Sequence, residues 1–269
     1  MIVEVDSADD PRLDAFRWRE RQLTTIAQRR SPDTEGRFIA EGDLVVERAL
    51  DARCVPDVVL CDPKTATRFS RRVHDAGGTT LVASADIRRE VTGLGVPLDA
   101  IGLFKRPATI DLGELVASSR RLVVVDGVDN PSNVGSIVRS AAALGWDGLV
   151  LDSTSSDPLA RRALRVAMGT TFVLPHARYQ STTELVSLLA SHGFESIGLT
   201  PSHPTRAVVD ISTLSHSDSP RALVLGSERS GLSSDMSESC STLARIAMRD
   251  GVDSLNVAIA AGIACFALR

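Results

Sequence analysis

Three short polar segments in the second half of the chain combine residue types that bind anions and orient a reacting group. They are DNPSNVGSIVRSAAALG (129–145), LVLGSERSGLSS (223–234) and IAMRDGVDSLNVAIAAG (246–262). Each contains or follows an apolar run that predicts a β-strand, and the first and third lead into predicted helices. The side chains that could carry chemistry are, in chain order, Asn133, Arg139, Glu228, Ser254 and Asn256.

The first segment has the features of a phosphate site. A helix N-terminus presents N–H groups that lack helical partners, together with the positive end of the helix dipole. The guanidinium of Arg139 adds a charge that can form paired hydrogen bonds with phosphate oxygens. In the second segment, Gly226 and Gly231 frame a turn whose backbone can approach a ligand closely.

Each of these residues also has a purely structural interpretation. Ser132 or Asn133 can cap the helix that follows, and in this interpretation Asn133 has no further role. Arg139 can form an ion pair with Asp126 or Asp129, and Glu228 can close a turn. The residue types alone leave both interpretations open.

Several common kinds of site lack the residues they need. The glycine pair of the second segment is followed by leucine rather than by the lysine of a P-loop, and no strand leads into G-x-G-x-x-G or G-x-S-x-G. The five histidines show no metal-ligand spacing, so we expect no metal site. Without a C-x-x-C pair, Cys54, Cys61, Cys240 and Cys265 are predicted to be small buried residues in a reducing compartment.

Short apolar strands alternate with helices from residue 122 onward. The predicted strands span 122–127, 148–153, 171–176, 195–200, 221–227 and 244–248. The predicted helices span 132–145, 158–168, 181–192, 233–238 and 254–268. Strands that are apolar throughout are typical of a parallel sheet covered on both faces, and ligands bind beyond the carboxyl ends of such strands.

The first 108 residues show a second, smaller α/β alternation. RFIAEGDLVVERALDA has apolar residues at helical spacing, and the strands VPDVVLC, TTLVAS and AIGLFKRP alternate with the helices ATRFSRRVHDAGG and ADIRREVTGL. An arginine-rich helical stretch, RWRERQLTTIAQRR, precedes them. The predicted division is a first domain at 1–108, a linker at 109–119 and a second domain at 120–269.

The composition is that of an ordinary globular protein. Of 269 residues, 43% are hydrophobic and 24% charged, and no apolar run approaches the roughly 20 residues that span a bilayer. The acidic N-terminus lacks the features of a signal peptide, so we expect a cytoplasmic protein with no membrane partner. The net charge of −4 argues against non-specific coating of nucleic acid. Arginine clusters at 12–37, 68–72 and 161–165 are equally compatible with a phosphate-binding patch and a solvated face.

Taken together, NVGSIVRSAAALG, LVLGSERSGL and IAMRDGVDSLNVAIAAGIA resemble the three ordered motifs of the SpoU/TrmH-type RNA 2′-O-ribose methyltransferases, of the SPOUT class. Their order, separation and internal spacing match, with Asn133 six residues before Arg139 and Ser254 two before Asn256. The resemblance covers the second domain. More loosely, the first domain is similar to the L30e/L7Ae-like domain that binds substrate in ribosomal-RNA members of the family.

The resemblance implies an α/β fold with a parallel sheet whose C-terminal segment is threaded into a deep trefoil knot, a rare topology. S-adenosylmethionine would bind in the knot against backbone groups around Gly226, Ile246 and Leu255, with Thr200 nearby. The family acts as a homodimer in which the first motif of one subunit faces the cofactor of the other. RNA is the implied partner, and the first domain favours rRNA over tRNA, because tRNA members typically have short extensions in its place.

The family's reaction is the in-line attack of a ribose 2′-oxygen on a sulfonium methyl group, so positioning dominates catalysis. The resemblance implies that Arg139 contacts the adjacent phosphate and stabilises the developing alkoxide. An arginine practically never deprotonates, so we do not expect it to be the base. Asn133, Glu228 and Asn256 would hold the guanidinium and the loops in place. Ser254 would cap a helix or contact the substrate.

Three positions depart from the family pattern. Ala247 replaces the usual proline of I-P-M, Arg229 stands where glycine often follows the glutamate, and Ala258 replaces a common serine. None of them removes a proposed catalytic group, and Arg229 could add a phosphate contact. The alternatives are tRNA methylation, an RNA-binding assembly factor without activity, and a small-molecule methyltransferase, which the arginine-rich first domain disfavours.

Overall fold

The computed structural model describes residues 2–25, 28, 36–214 and 217–269. The chain divides into two compact units: Met1–Ala108 with Leu159–Phe172, and Thr109–Pro158 with Val173–Arg269. Of the residues singled out in the sequence, Arg29, Arg30 and His216 lie outside the described residues.

The first unit contains a mixed sheet with five strands among the described residues. They are β1 (Ile2–Val5), β2 (Arg37–Glu41), β3 (Pro56–Cys61), β4 (Thr79–Ala83) and β5 (Ala100–Lys105), in the order β1-β4-β3-β5-β2. Strand β5 runs antiparallel to β3 and β2, and the other pairs are parallel. Its helices before residue 108 are α1 (Asp14–Arg17), α2 (Glu20–Leu23), α3 (Asp43–Asp51), α4 (Pro63–Asp75) and α5 (Ala85–Thr92).

The segment RFIAEGDLVVERALDA is a strand followed by a helix. The helix was predicted from apolar residues at helical spacing, whereas strand β2 was not predicted. Gly42 has a φ of +97°, a backbone conformation open to glycine, and it separates β2 from α3. Phe38, Ile39 and Ala40 are all buried, as expected for a strand covered on both faces. The apolar period that suggested a helix therefore belongs only to the second part of the segment.

The second unit contains a parallel sheet with seven strands in the described part of the chain. They are β6 (Arg121–Asp126), β7 (Gly148–Leu151), β8 (His176–Arg178), β9 (Glu195–Leu199), β10 (Val208–Asp210), β11 (Arg221–Gly226) and β12 (Thr242–Arg245). Their order is β10-β12-β9-β11-β6-β7-β8, and each adjacent pair is parallel. The predicted parallel α/β fold is confirmed.

The helices from residue 112 onward are α6 (Leu112–Ser118), α7 (Pro131–Ala143), α8 (Arg161–Ala167), α9 (Thr182–Ser191), α10 (Ser234–Ser239) and α11 (Val257–Leu268). All except α8 belong to the second unit. Val124 of β6 and Val224 of β11 pack in one apolar cluster with Leu115 of α6 and Leu185 of α9. This burial covers one face of the central strands, and α11 packs against β11 and along α7.

Helix α8 was predicted in the second domain, but it packs in the first unit. Leu159 and Leu164 join the apolar cluster of that unit. A guanidinium nitrogen of Arg165 lies 2.5 Å from Glu41, whose side chain is fully buried, and one of Arg161 lies 3.5 Å from it. Burial raises the pKa of the Glu41 carboxyl even against these two positive charges. The predicted linker also differs, because it contains α6 and belongs to the second unit.

Two edge strands of the second sheet differ from expectation. The strand predicted at 171–176 begins only at His176, because Thr170–Phe172 form a 3-10 helix of the first unit. Strand β10 was not predicted, since three residues are too short to show an apolar period.

Ion pairs engage many of the arginines that cluster in the sequence. Arg68 pairs with Glu47 and lies 3.3 Å from Asp43, and Arg72 lies 2.6 Å from Asp51. These contacts, like those of Arg161 and Arg165 with Glu41, indicate that these arginines stabilise the fold rather than form a phosphate-binding patch. The exposed arginines of the clusters for which the described residues provide no partner are Arg19, Arg21 and Arg162.

All four cysteines are buried and free, as predicted. Burial raises the pKa of Cys54 to about 11 and the pKa values of Cys61, Cys240 and Cys265 to about 12. They are therefore protonated thiols at neutral pH. Among the helices that the structure describes, none has the length and apolar character required to cross a membrane.

Candidate active site

The loops that follow three adjacent strands of the second unit enclose a pocket of about 360 Å³. Strands β9, β11 and β12 end at Leu199, Gly226 and Arg245, and the residues directly after each end line the pocket. The end of the loop before α11, at Ser254 and Leu255, and the first turn of α11 complete the lining. All four residues predicted to hold the cofactor line this one pocket: Thr200, Gly226, Ile246 and Leu255.

The wall after β11 is a tight closed turn. Ser227 and Gly231 exchange two backbone hydrogen bonds of 3.0 Å each, and Gly231 has a φ of +68°. A Cβ atom placed on Gly226 would overlap the backbone of Gly231 and Leu232. The turn therefore folds directly onto the strand end because residue 226 is a glycine, and it carries Glu228 at its exposed tip.

A second pocket of about 480 Å³ shares this turn as a wall. Asn133, Glu228 and Asn256 all line it, so the three polar segments converge as predicted. The Nδ2 of Asn256 donates a hydrogen bond of 3.1 Å to the Oδ1 of Asn133. This contact joins the first and third segments across 123 residues of sequence.

Helix capping in the site differs from expectation. Asn130, rather than Asn133, caps α7, because its side chain accepts a hydrogen bond from the N–H of Ser132. Asn133 is thereby left to contact Asn256. Helix α11, which was predicted to start at residue 254, begins at Val257 and is capped by the Oδ1 of Asn256. Ser254 therefore lies outside the helix and lines the first pocket instead.

Asp152, which the sequence did not single out, fixes the loop before α7. Its carboxylate accepts hydrogen bonds from the N–H of Gly127 at 3.1 Å and from the side chains of Thr154 and Ser155. Burial acts to raise the pKa of Asp152, but these hydrogen bonds outweigh it and lower the pKa below its ordinary value. Ser155 in turn accepts a hydrogen bond from the N–H of Val128 at 2.9 Å. The signal for this support was the polar run DSTSS directly after β7.

Arg139 does not form the ion pair considered above. It is exposed on α7, and no hydrogen bond or ion pair involves it within the described residues. Asp126 accepts hydrogen bonds from the N–H of Ser233 at 2.7 Å and from the hydroxyl of Tyr179 at 3.3 Å. Arg139 also lies outside the lining of both pockets of its own chain.

The first pocket suits a nucleoside-sized ligand with a polar end. Its volume falls within the range of about 300–1,000 Å³ that is typical of small-molecule sites. Leu199, Leu225 and Met248 provide apolar surface, while the turns at 200–202 and 227–231 bring backbone polar groups to the rim. Its position beyond the carboxyl ends of parallel strands is the usual one for ligands in such sheets.

Comparison with known proteins identifies the family. The model of the SpoU rRNA methylase family matches residues 120–266. An uncharacterized tRNA/rRNA methyltransferase of Mycobacterium bovis is 34% identical over 267 residues, which cover 98% of this chain and 91% of that protein. The 23S rRNA (guanosine(2553)-2′-O)-methyltransferase RlmP of Bacillus subtilis is 26% identical over the full length of both chains.

Solved structures show the same fold. The AdoMet-bound rRNA methyltransferase of Sinorhizobium meliloti superposes with a TM-score of 0.83 at 25% identity, over 99% of this chain and 97% of that one. The SpoU methyltransferase AviRb of Streptomyces viridochromogenes, solved with AdoMet, gives a TM-score of 0.77 at 24% identity over 96% of both chains. The likeness extends over both units of the chain.

Proposed function

Because the chain belongs to the SpoU rRNA methylase family, and is therefore an S-adenosylmethionine-dependent RNA methyltransferase, we propose that it methylates a ribose 2′-oxygen in large-subunit rRNA. The observation that carries the proposal is the pair of pockets sharing the turn with Glu228. One pocket has the lining expected for the cofactor, and the adjoining one is open to a second substrate. The rRNA preference is supported by the full-length likeness to a 23S rRNA methyltransferase.

The first pocket is the site we assign to S-adenosylmethionine, which supplies an electrophilic methyl group on its sulfonium. Thr200, Gly226, Ile246 and Leu255 hold the cofactor there through their backbone groups. The apolar side chains of Leu225 and Met248 exclude water. Charges and dipoles act more strongly on the reacting atoms where water is excluded.

The second pocket is the site we assign to the target ribose. The hydrogen bond between Asn133 and Asn256 fixes one wall, and the closed turn at 227–231 fixes the other. Glu228 lines both pockets, so it lies where the two substrates meet. Rigid walls of this kind hold the 2′-oxygen in line with the methyl group, which is the main demand of the reaction.

Arg139 completes the site from a second subunit in this proposal. Its side chain is exposed, has no hydrogen bond or ion pair among the described residues, and lies outside both pockets. Helix α11, which packs along α7, exposes Ile259, Ile263 and Phe266 at a spacing that puts them on one face. An apolar stripe of this kind is typical of a protein–protein interface, and a homodimer would cover it. The guanidinium of the second subunit then stabilises the developing alkoxide and contacts the adjacent phosphate.

The experiment that tests the function is nucleotide-resolution mapping of 2′-O-methylation in cellular RNA, with and without the gene. We expect one position of large-subunit rRNA to lose its methyl group and to regain it with the wild-type gene but not with Arg139→Ala. A lost mark in tRNA would shift the substrate to tRNA. Unchanged marks throughout, with RNA binding retained, would instead support an assembly factor. We also propose that the enzyme works in the cytoplasm, where bacterial ribosomes assemble, because the similar RlmP is a bacterial rRNA methyltransferase.

A further inference from the structure

The turn between Ser227 and Gly231 presents Arg229 as well as Glu228. Two side-chain contacts add to the paired backbone hydrogen bonds. The Oγ of Ser227 lies 2.7 Å from the Oγ of Ser230 and accepts a hydrogen bond from the backbone N–H of Ser230. The backbone at the tip is therefore held by contacts within the turn. Arg229 is exposed, and no hydrogen bond or ion pair in the described part of the chain engages it.

Arg229 lines both pockets, and it is the only lysine or arginine among the described residues that line either one. The second pocket also contains the carboxylates of Asp129 and Glu228. RNA carries one negative charge per phosphate, so these carboxylates repel the strand at the point where its ribose must enter. A cation at the shared wall offsets that repulsion. Its attraction to an RNA phosphate acts over only a few ångströms, so dissolved salt screens it weakly.

We propose that Arg229 binds a phosphate that flanks the target ribose and so positions the RNA strand between the two pockets. The proposal rests on the proposed function and adds a positioning residue to it. A guanidinium presents paired N–H donors that match two phosphate oxygens, and the closed turn limits the backbone freedom lost on binding. Arg229 could instead bind the carboxylate of the cofactor. The experiment must therefore distinguish binding of an RNA phosphate from binding of the cofactor carboxylate.

The test compares Arg229→Ala and Arg229→Lys with wild type, and uses Arg245→Ala as a control. Arg245 is an exposed arginine of the same unit that lies outside the three polar segments and lines neither pocket. The probes are unmodified large-subunit rRNA transcribed in vitro and S-adenosylhomocysteine. The measurements are KM for the RNA at several salt concentrations, the affinity for S-adenosylhomocysteine by calorimetry, and the thermal unfolding midpoint.

We expect Arg229→Ala to raise KM for RNA about 10-fold, with cofactor-product affinity and unfolding midpoint unchanged. The slope of log affinity against log salt should fall by about one, and Arg229→Lys should restore that slope but only part of the affinity. Arg245→Ala should behave as wild type. Loss of S-adenosylhomocysteine affinity with an unchanged KM for RNA would overturn the proposal in favour of the cofactor carboxylate. An Arg229→Ala enzyme that matches wild type would overturn it as well, whereas an inactive wild type would overturn the proposed function itself.

Discussion

Asn256 has two roles, which its two amide atoms divide between them. The Oδ1 accepts hydrogen bonds from the N–H groups of Ala258 and Ile259 and so caps α11. The Nδ2 donates to Asn133 and so joins α11 to the first motif. An aspartate at this position keeps the acceptor but loses the donor, so the two roles can be separated by substitution.

We predict that Asn256→Ala lowers both stability and activity, whereas Asn256→Asp lowers mainly activity. Loss of the cap should reduce the free energy of unfolding by about 1 kcal/mol. Asn256→Asp should unfold close to wild type yet transfer methyl groups about as slowly as Asn256→Ala. Denaturant titration and initial rates measure the two effects. A fully active Asn256→Asp enzyme would show that the contact with Asn133 is dispensable.

Arg139 is expected to act only on the reaction. Because no residue in the described part of the chain pairs with its side chain, Arg139→Ala should leave the unfolding midpoint and S-adenosylhomocysteine affinity unchanged. The rate of methyl transfer should fall on the order of 100-fold or more, as on removal of other groups that stabilise a developing oxyanion. Arg162→Ala, which changes an exposed arginine of the first unit, is the control. A rate within a few-fold of wild type would contradict the proposed role of Arg139.

At the scale of elements, the site depends on three neighbouring parallel strands that end at one edge. The apolar runs at 195–200, 221–227 and 244–248 made these strands predictable, and the rule that ligands lie beyond strand ends predicted the pocket. The location of α8 was not predictable, because nothing local in ARRALRV reveals that Arg161 and Arg165 meet the buried carboxylate of Glu41. Long-range ion pairs of this kind are set by tertiary structure rather than by periodicity.

A substitution at Gly226 tests whether the close contact between the end of β11 and the turn at 227–231 is needed for cofactor binding. Gly226→Ala would place a methyl group against the backbone of Gly231 and Leu232, so the turn must move. We expect the affinity for S-adenosylhomocysteine to fall at least about 10-fold, because small displacements of a rigid wall disrupt binding. Gly262→Ala is the control, because its Cβ would meet no heavy atom closer than the Oγ of Ser140, at 3.7 Å. Calorimetry measures the affinity of both variants for S-adenosylhomocysteine. An affinity equal to that of wild type in Gly226→Ala would refute the prediction.

At the scale of the whole molecule, we predict that two subunits together build each site. The side chains of Ile259 and Phe266 are each 58% exposed on a helix that is apolar on nearly every side. Trp146 holds that helix in place through a 3.1 Å hydrogen bond from its Nε1 to the carbonyl of Cys265. The trefoil knot implied by the family resemblance stays a prediction, and it accords with β12 lying between β9 and β10 in the sheet.

We predict that wild type is a dimer and that the double variant Ile259→Glu, Phe266→Glu is a monomer that binds S-adenosylhomocysteine but does not transfer methyl groups. Two buried carboxylates would make the interface unfavourable. Val96→Glu, at an exposed apolar residue of the first unit, should remain dimeric and active. Sedimentation equilibrium measures the oligomeric state. An active monomeric double variant would show that each chain has a complete site.

Mixed dimers test whether Arg139 acts across the interface. With S-adenosylmethionine kept limiting, Arg139→Ala and Gly226→Ala homodimers are each expected to have little activity. A mixed dimer, however, contains one pocket with an intact Gly226 and the arginine of the other subunit. After random exchange of equal amounts, we expect about a quarter of wild-type activity. If the arginine acted within its own chain, mixing would restore nothing.

The sequence predicted which residues of the site meet, but less well what each one does. Asn133, Glu228 and Asn256 were placed together by spacing and family resemblance, and the structure brings them to one pocket. The capping role of Asn130 and the support from Asp152 were missed, because Asn, Asp and Ser side chains in loops can bond to several nearby N–H groups. Only the folded backbone selects among those partners.

The central claim is methyl transfer to a ribose oxygen in the paired pockets. The direct test is to incubate the purified chain with unmodified large-subunit rRNA and S-adenosylmethionine that carries an isotopically labelled methyl group, followed by digestion to nucleosides and mass spectrometry. We predict the label in one 2′-O-methylnucleoside, with initial incorporation lower by about 100-fold or more with Arg139→Ala. A label on a nucleobase, or no transfer to RNA by an enzyme that binds the cofactor, would contradict the account.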